Sequence, residues 1–248
     1  MKKYGLIGYP LNHSFSKRFF SEKFVREGVT DASYENYPLT DIGQFYELIN
    51  AVPGLAGLNV TIPYKESVVP FLSEQDEIVK RIGACNCIKI KDGQLCGFNT
   101  DVYGFESSLA TKLLHHHNKA LILGTGGASK AVAYVLYKLG ISYYFVSRKE
   151  NTGDPDILTY ESLTQEIYDS FLLIINTSPV GMHPAEQFAP PINYSFITDK
   201  HFLFDLIYNP DQTLFLKHGI EKGATVQNGY DMLVYQAEKS WEIWNGTA

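Results

Sequence analysis

The stretch KALILGTGGASKAVAYVLYKLG, residues 119–140, decides the fold. Its apolar run from Ala120 to Leu123 reads as a buried strand, the glycine-rich segment from Gly124 to Ser129 as a tight loop, and the periodic apolar residues beyond as a helix. Strand, glycine loop and helix in that order let the backbone approach a pyrophosphate closely, with the positive end of the helix facing it. Gly124, Gly126, Gly127 and Ala128 are therefore expected to bind a dinucleotide. Ser129 stands where the fingerprint has its third glycine and is still small enough for helix-to-strand packing.

Working outward, ISYYFVSRK reads as the next strand and ends in Ser147, Arg148 and Lys149. An NAD site usually offers an acidic residue to the ribose hydroxyls at this point, whereas two cations and a hydroxyl suit a 2′-phosphate. The expected cofactor is NADP rather than NAD. FLLIINTSP and HFLFDLIYN supply further strands, continuous apolar runs of the kind buried on both faces. KENTGDPDILTYESLT reads as a polar surface connection, and YDMLVYQAEKSWEIWNG as an amphipathic helix. The whole is a doubly wound, Rossmann-type domain of the α/β class.

The first hundred residues form a second α/β unit, with strands at KKYGLIGYP, ASYENYPLT and GLNVTIPYK alternating with helices, and a hairpin turning at Asp92-Gly93. That alternation predicts a mainly parallel sheet. Within GLNVTIPYKE, Leu58, Val60 and Ile62 share one face of a strand. Asn59, Thr61, Pro63 and, if the chain stays extended, Lys65 share the other. Further polar groups gather at element ends: Ser14 and Ser16 after the first strand, Asn86 among small residues, and Asn99, Thr100 and Asp101 after the hairpin. Amides, hydroxyls, one Lys and one Asp suit a small polyhydroxylated acid. A Lys with a carboxylate can also share the proton that hydride transfer to a carbonyl requires.

Composition narrows the partners. A chain of 248 residues with 45% hydrophobic and 14% aromatic content can build a core, and 21 basic against 27 acidic residues leave a net charge of -6. That charge does not suit a surface that neutralises nucleic-acid phosphates. No apolar run approaches the roughly 18 residues of a membrane span, and the N-terminus does not read as a signal peptide, so a cytoplasmic protein is expected. Cys85, Cys87 and Cys96 read as reduced structural thiols, and His115, His116 and His117 as a solvated loop. No metal site is expected.

Taken together, HSFS, GLNVTIPYK, ACNC, GFNTD, LGTGGASKA, INTSPVGM, DLIYNPDQTLFL and NGYDMLVYQ resemble the shikimate dehydrogenase family in order and spacing over essentially the whole chain. The resemblance implies NADPH-dependent, reversible reduction of 3-dehydroshikimate to shikimate, a step in making chorismate and the aromatic amino acids. It implies Lys65 and Asp101 as the catalytic pair, and Ser14, Ser16, Asn59, Thr61, Asn86, Tyr208 and Gln236 as substrate ligands. Thr177, Leu206 and Gly229 would join the glycine loop and Ser147, Arg148 and Lys149 at the cofactor. Residues 1–101 plus 229–248 would form the substrate domain and 102–228 the NADP domain, with the C-terminal helix returning to the first. A monomer or homodimer is expected.

Some positions depart from the family's pattern. Asn12 replaces a glycine, Lys17 a proline, and Ser147 and Lys149 the asparagine and threonine of the common NRT motif. A quinate/shikimate dehydrogenase is the nearest rival and often uses NAD, but its relatives tend to carry threonine at Ser16. Folate methylene dehydrogenases share the architecture without a use for a polyhydroxyl-binding set. A metabolite sensor built on the same domains need not keep Lys65, Asp101 or the glycine loop.

Overall fold

The computed structural model describes residues 1–11, 14–148 and 154–246, and divides into two compact units. The first comprises Met1–Thr100 with Gln236–Ala248, the second Asp101–Tyr235.

The first unit runs β1 (Lys2–Gly8), α1 (Phe15–Glu27), β2 (Ala32–Pro38), α2 (Phe45–Ala51), β3 (Leu55–Val60), β4 (Glu74–Gln75), α3 (Glu77–Ile82), β5 (Cys87–Lys91) and β6 (Gln94–Phe98). Local chemistry marks the joints. The Ser14 hydroxyl caps α1 by accepting from the Lys17 N–H, and Gly28 closes the helix in the left-handed region. Asp41 and Gln44 form a capping box, though on a short 3₁₀ turn that precedes α2. Asp92 and Gly93 have φ of 51° and 75°, as the tight β5–β6 hairpin requires.

Its six strands lie in the order β2-β1-β3-β5-β6-β4. The sheet is mainly parallel: β2, β1, β3, β6 and β4 run in one direction, and β5 alone runs against them, antiparallel to β3 and to its hairpin partner β6.

The second unit contributes α4 (Thr100–Leu109), β7 (Lys119–Leu123), α5 (Gly127–Lys138), β8 (Ser142–Ser147), β9 (Ile157–Thr159), α6 (Gln165–Ser170), β10 (Leu173–Asn176), β11 (Phe202–Asp205), α7 (Leu214–Glu221), β12 (Thr225–Gln227) and α8 (Tyr230–Asn245). The sheet order is β12-β11-β10-β7-β8-β9, with every pair parallel. The order reverses between β7 and β10, the switch point where doubly wound folds bind nucleotides. β10 and β11 are buried along their whole length, as their apolar runs predict. Thr100, the first residue of α4, and the last turns of α8 are assigned to the first unit.

Two expectations change here. The segment read as a surface connection carries β9, which pairs with the end of β8, Ser147 opposite Thr159. Three half-buried residues give too short an alternation to stand out from a polar context. His117 is buried rather than solvated. Its Nδ1 accepts from the Leu114 N–H at 3.1 Å, which leaves Nε2 to donate to the Lys200 carbonyl at 3.1 Å. His115 is exposed and His116 half-buried.

Candidate substrate and cofactor sites

In the first unit the polar strand leads to a turn. β3 ends at Val60, and the Tyr64 N–H donates to the Thr61 carbonyl at 2.9 Å, so the chain does not stay extended as far as Lys65. Leu58 and Val60 are buried, but Ile62 is 71% exposed, because the alternation ends with the strand. Lys65 is half-buried on this turn, and its carbonyl accepts from the Cys85 N–H at 2.7 Å. That bond sets the turn against Ala84, Cys85 and Asn86.

Hydrogen bonds draw three of the expected substrate residues, Asn59, Asn86 and Gln236, into one buried network. The Asn59 amide donates to the Ser240 hydroxyl (2.9 Å) and the Asn86 carbonyl (3.3 Å), and its oxygen accepts from the Tyr34 hydroxyl (2.9 Å). Asn86 Oδ1 accepts from the Thr100 N–H at 2.6 Å, and its amide nitrogen donates to Thr100 Oγ1 at 3.1 Å. Thr100 Oγ1 also lies 3.2 Å from Ser240 Oγ and 3.4 Å from Gln236 Oε1. Ser16 is the polar neighbour of the Tyr34 hydroxyl, whose pKa burial raises well above its usual value.

Both N–H groups of the Asn59 amide are thus engaged inside the protein, which makes Asn59 a brace for Asn86. Tyr34 and Ser240 are the residues sequence reasoning missed. Tyr34 reads as a β2 core residue and Ser240 as a small residue on an amphipathic helix, and no local pattern marks their contact with Asn59.

Ser14 and Ser16 open α1, and Lys17 supplies the N–H that Ser14 caps, a donor that proline lacks. Thr61 is half-buried just after β3; Asn12 and His13 lie outside the described residues.

In the second unit the expected cofactor residues gather along the carboxyl edge of the sheet. Gly124 has φ of 116°, and a side chain there would meet Thr177 Oγ1 at 2.9 Å, so glycine alone allows the loops after β7 and β10 to lie together. Thr177 is fastened by its N–H and its hydroxyl to the Leu123 carbonyl, at 3.0 and 2.9 Å. Gly126 gives α5 no side-chain cap and would leave open space even with a Cβ, so the helix N-terminus can receive an anion. Ser129 is buried and donates to the Gly126 carbonyl at 2.6 Å, bracing the loop where a third glycine is expected.

Ser147 ends β8, and Arg148 follows it, exposed, one strand from the glycine loop; Lys149 lies outside the described residues. Leu206 and Tyr208 are half-buried after β11, and Gly229 opens α8 so close to the Leu206 carbonyl that no side chain would fit. Asp101 is buried in the first turn of α4. These groups fit a phosphorylated dinucleotide: a glycine loop, an uncapped helix end and a cation beyond the second strand.

The description "Shikimate dehydrogenase substrate binding domain" belongs to the family model that matches residues 6–88. The NADP(+) shikimate dehydrogenase of Clostridium beijerinckii is 39% identical over 98% of this chain and 92% of its own. The chain belongs to the shikimate dehydrogenase family. Among solved structures, shikimate dehydrogenase 1 of Peptoclostridium difficile shares 35% identity, with a TM-score of 0.85 over 100% of this chain and 93% of that one. The shikimate 5-dehydrogenase of Thermus thermophilus, solved in complex with NADP(H) and shikimate, shares 27% identity, with a TM-score of 0.88 over 99% and 94%. The family match therefore spans both units, and the substrate-domain match covers the polar strand and Asn86.

Proposed function

We propose that this chain catalyses the NADPH-dependent, reversible reduction of 3-dehydroshikimate to shikimate, with Lys65 and Asp101 handling the proton. The buried network joining Asn59, Asn86, Thr100 and Gln236 carries the reading, because amides and hydroxyls on a fixed frame suit a ring with several hydroxyls and a carboxylate. A frame whose donors already satisfy one another also presents the remaining groups without reorganisation.

In this reading Ser14 and Ser16, at the N-terminus of α1, take the substrate carboxylate. Thr61, Asn86 and Gln236 bind ring hydroxyls, Tyr208 is a further substrate ligand, and Asn59 acts by holding Asn86. Residues 1–101 with 229–248 serve the substrate, and residues 102–228 serve the cofactor. When bound, NADPH supplies the hydride. Lys65 and Asp101 bind the reacting oxygen and give it the proton, directly or through water, and in the reverse direction they remove it. Gly124, Gly126, Gly127 and Ala128 would hold the pyrophosphate, while Ser147, Arg148 and Lys149 would hold the 2′-phosphate. Thr177, Leu206 and Gly229 would lie along the cofactor. A step drawing on the NADPH pool and feeding aromatic amino acid synthesis belongs in the cytoplasm.

Oxidation of shikimate and quinate by NADP⁺ separates this reading from its nearest rival. Rapid oxidation of shikimate with little of quinate is expected. Equal use of quinate would assign the chain to the quinate/shikimate branch.

A further inference from the structure

Asp205, the last residue of β11, is fully buried, and no cation among the described residues forms an ion pair with it. Three neutral donors converge on it instead. Asn176 Nδ2 donates to Oδ1 at 3.0 Å, the Ile207 N–H donates to the same oxygen at 3.1 Å, and Thr213 Oγ1 donates to Oδ2 at 2.6 Å. Burial pushes the carboxyl up to about 7 against the pull of these bonds, and Tyr194, whose hydroxyl is raised first by burial and then by the Asp205 charge, is a titratable neighbour.

The donors belong to separate segments. Asn176 ends β10, and its own Oδ1 accepts from the Ser178 N–H (3.1 Å) and hydroxyl (2.7 Å), closing the turn that carries Thr177. Ile207 lies between Leu206 and Tyr208, and its carbonyl accepts from the Gly229 N–H at 3.0 Å. Thr213 caps α7. One carboxylate therefore fastens the turn after β10, the loop after β11 and the start of α7, and through Ile207 the start of α8. Asparagine at 205 has a single acceptor oxygen and would turn an N–H toward one of the donors.

All these segments lie in the half of the sheet formed by β10, β11 and β12. The other half carries the glycine loop and Arg148, which suit the pyrophosphate and the adenosine phosphate, so this half is left for the second nucleotide. We propose that Asp205 is a positioning residue for the nicotinamide half of the cofactor, holding the loops that bear Thr177, Leu206 and Gly229 in one arrangement. The inference rests on the NADP reading.

Calorimetric binding of two probes tests it: NADPH, and adenosine 2′,5′-bisphosphate, which has the phosphorylated adenosine but no nicotinamide. Asp205→Ala and the milder Asp205→Asn are compared with the unaltered chain, circular dichroism confirming that each is folded; if only Asp205→Asn folds, it alone decides. NADPH affinity should fall about tenfold, the scale of one lost buried hydrogen bond, with bisphosphate affinity within about twofold of wild type. Equal loss of both, or loss of neither, overturns the positioning role. An unaltered chain that binds neither probe overturns the NADP reading before any variant is made, and the proposal with it.

Discussion

Lys65 shows how far single residues can be read. Its chemistry is plain in the sequence, but its place is not, since the strand alternation that selects it ends at Val60. The Cys85 N–H, donating to the Lys65 carbonyl, helps to hold the turn that carries it. Lys65→Ala should lower turnover by roughly 10²- to 10⁴-fold, the usual worth of a general acid-base group, with a smaller rise in KM. Unchanged turnover in steady-state kinetics would remove Lys65 from the chemistry. Ser240→Ala should cost about 1–3 kcal/mol, because one of the two N–H groups of the Asn59 amide then loses its partner in a buried site. Urea unfolding measures that loss, and an unchanged midpoint would mean that Ser240 braces nothing. Arg148→Ala should weaken NADPH binding about tenfold through the lost charge-assisted bond, and leave NADH binding as it was. Equal weakening of both would separate Arg148 from the 2′-phosphate. The residues legible in sequence are those with reactive or phosphate-binding chemistry; Tyr34, Ser240 and Asp205 are not, because they act through partners distant in the chain.

At the scale of elements, long apolar patterns and glycine punctuation were readable: β7, α5, the β5–β6 hairpin and α8 fall where the sequence puts them. Short or half-buried elements were not. β4, β9 and β12 have two or three residues each, below the length at which alternation is distinct from chance. The element ends also set the pH response. Asp205 closes β11 with its carboxyl raised to about 7, so between its unfolded value near 4 and 7 the folded state binds more protons, and its contribution to stability falls as pH rises. His117 and His201, held below the usual imidazole value chiefly by burial, act in the opposite sense: the unfolded chain takes up their protons first, so stability falls as pH drops below about 6.5. The two effects oppose each other in the wild type, and a variant isolates one. Relative to Asp205→Asn, the wild type should gain stability as pH falls from 7 to about 5. A gap between the two midpoints that stays constant over that range would show that Asp205 keeps its charge state.

For the whole molecule, one α/β pattern repeats in two settings with different outcomes. In the second unit, unbroken apolar runs specify a fully parallel sheet, and its order puts the glycine loop at the switch point. In the first, the β5–β6 hairpin leaves β5 alone running against the other five strands of a mainly parallel sheet. Among the described residues no helix is long and apolar enough to cross a membrane. The 39% identity over 98% of the chain carries the family assignment across both units, whereas the substrate and cofactor depend on particular side chains. Those are tested together by following oxidation of reduced cofactor with 3-dehydroshikimate, NADPH and NADH compared at equal concentration. Rapid oxidation of NADPH with little of NADH is predicted; comparable rates with both, or oxidation of neither, would contradict an NADPH-dependent shikimate dehydrogenase.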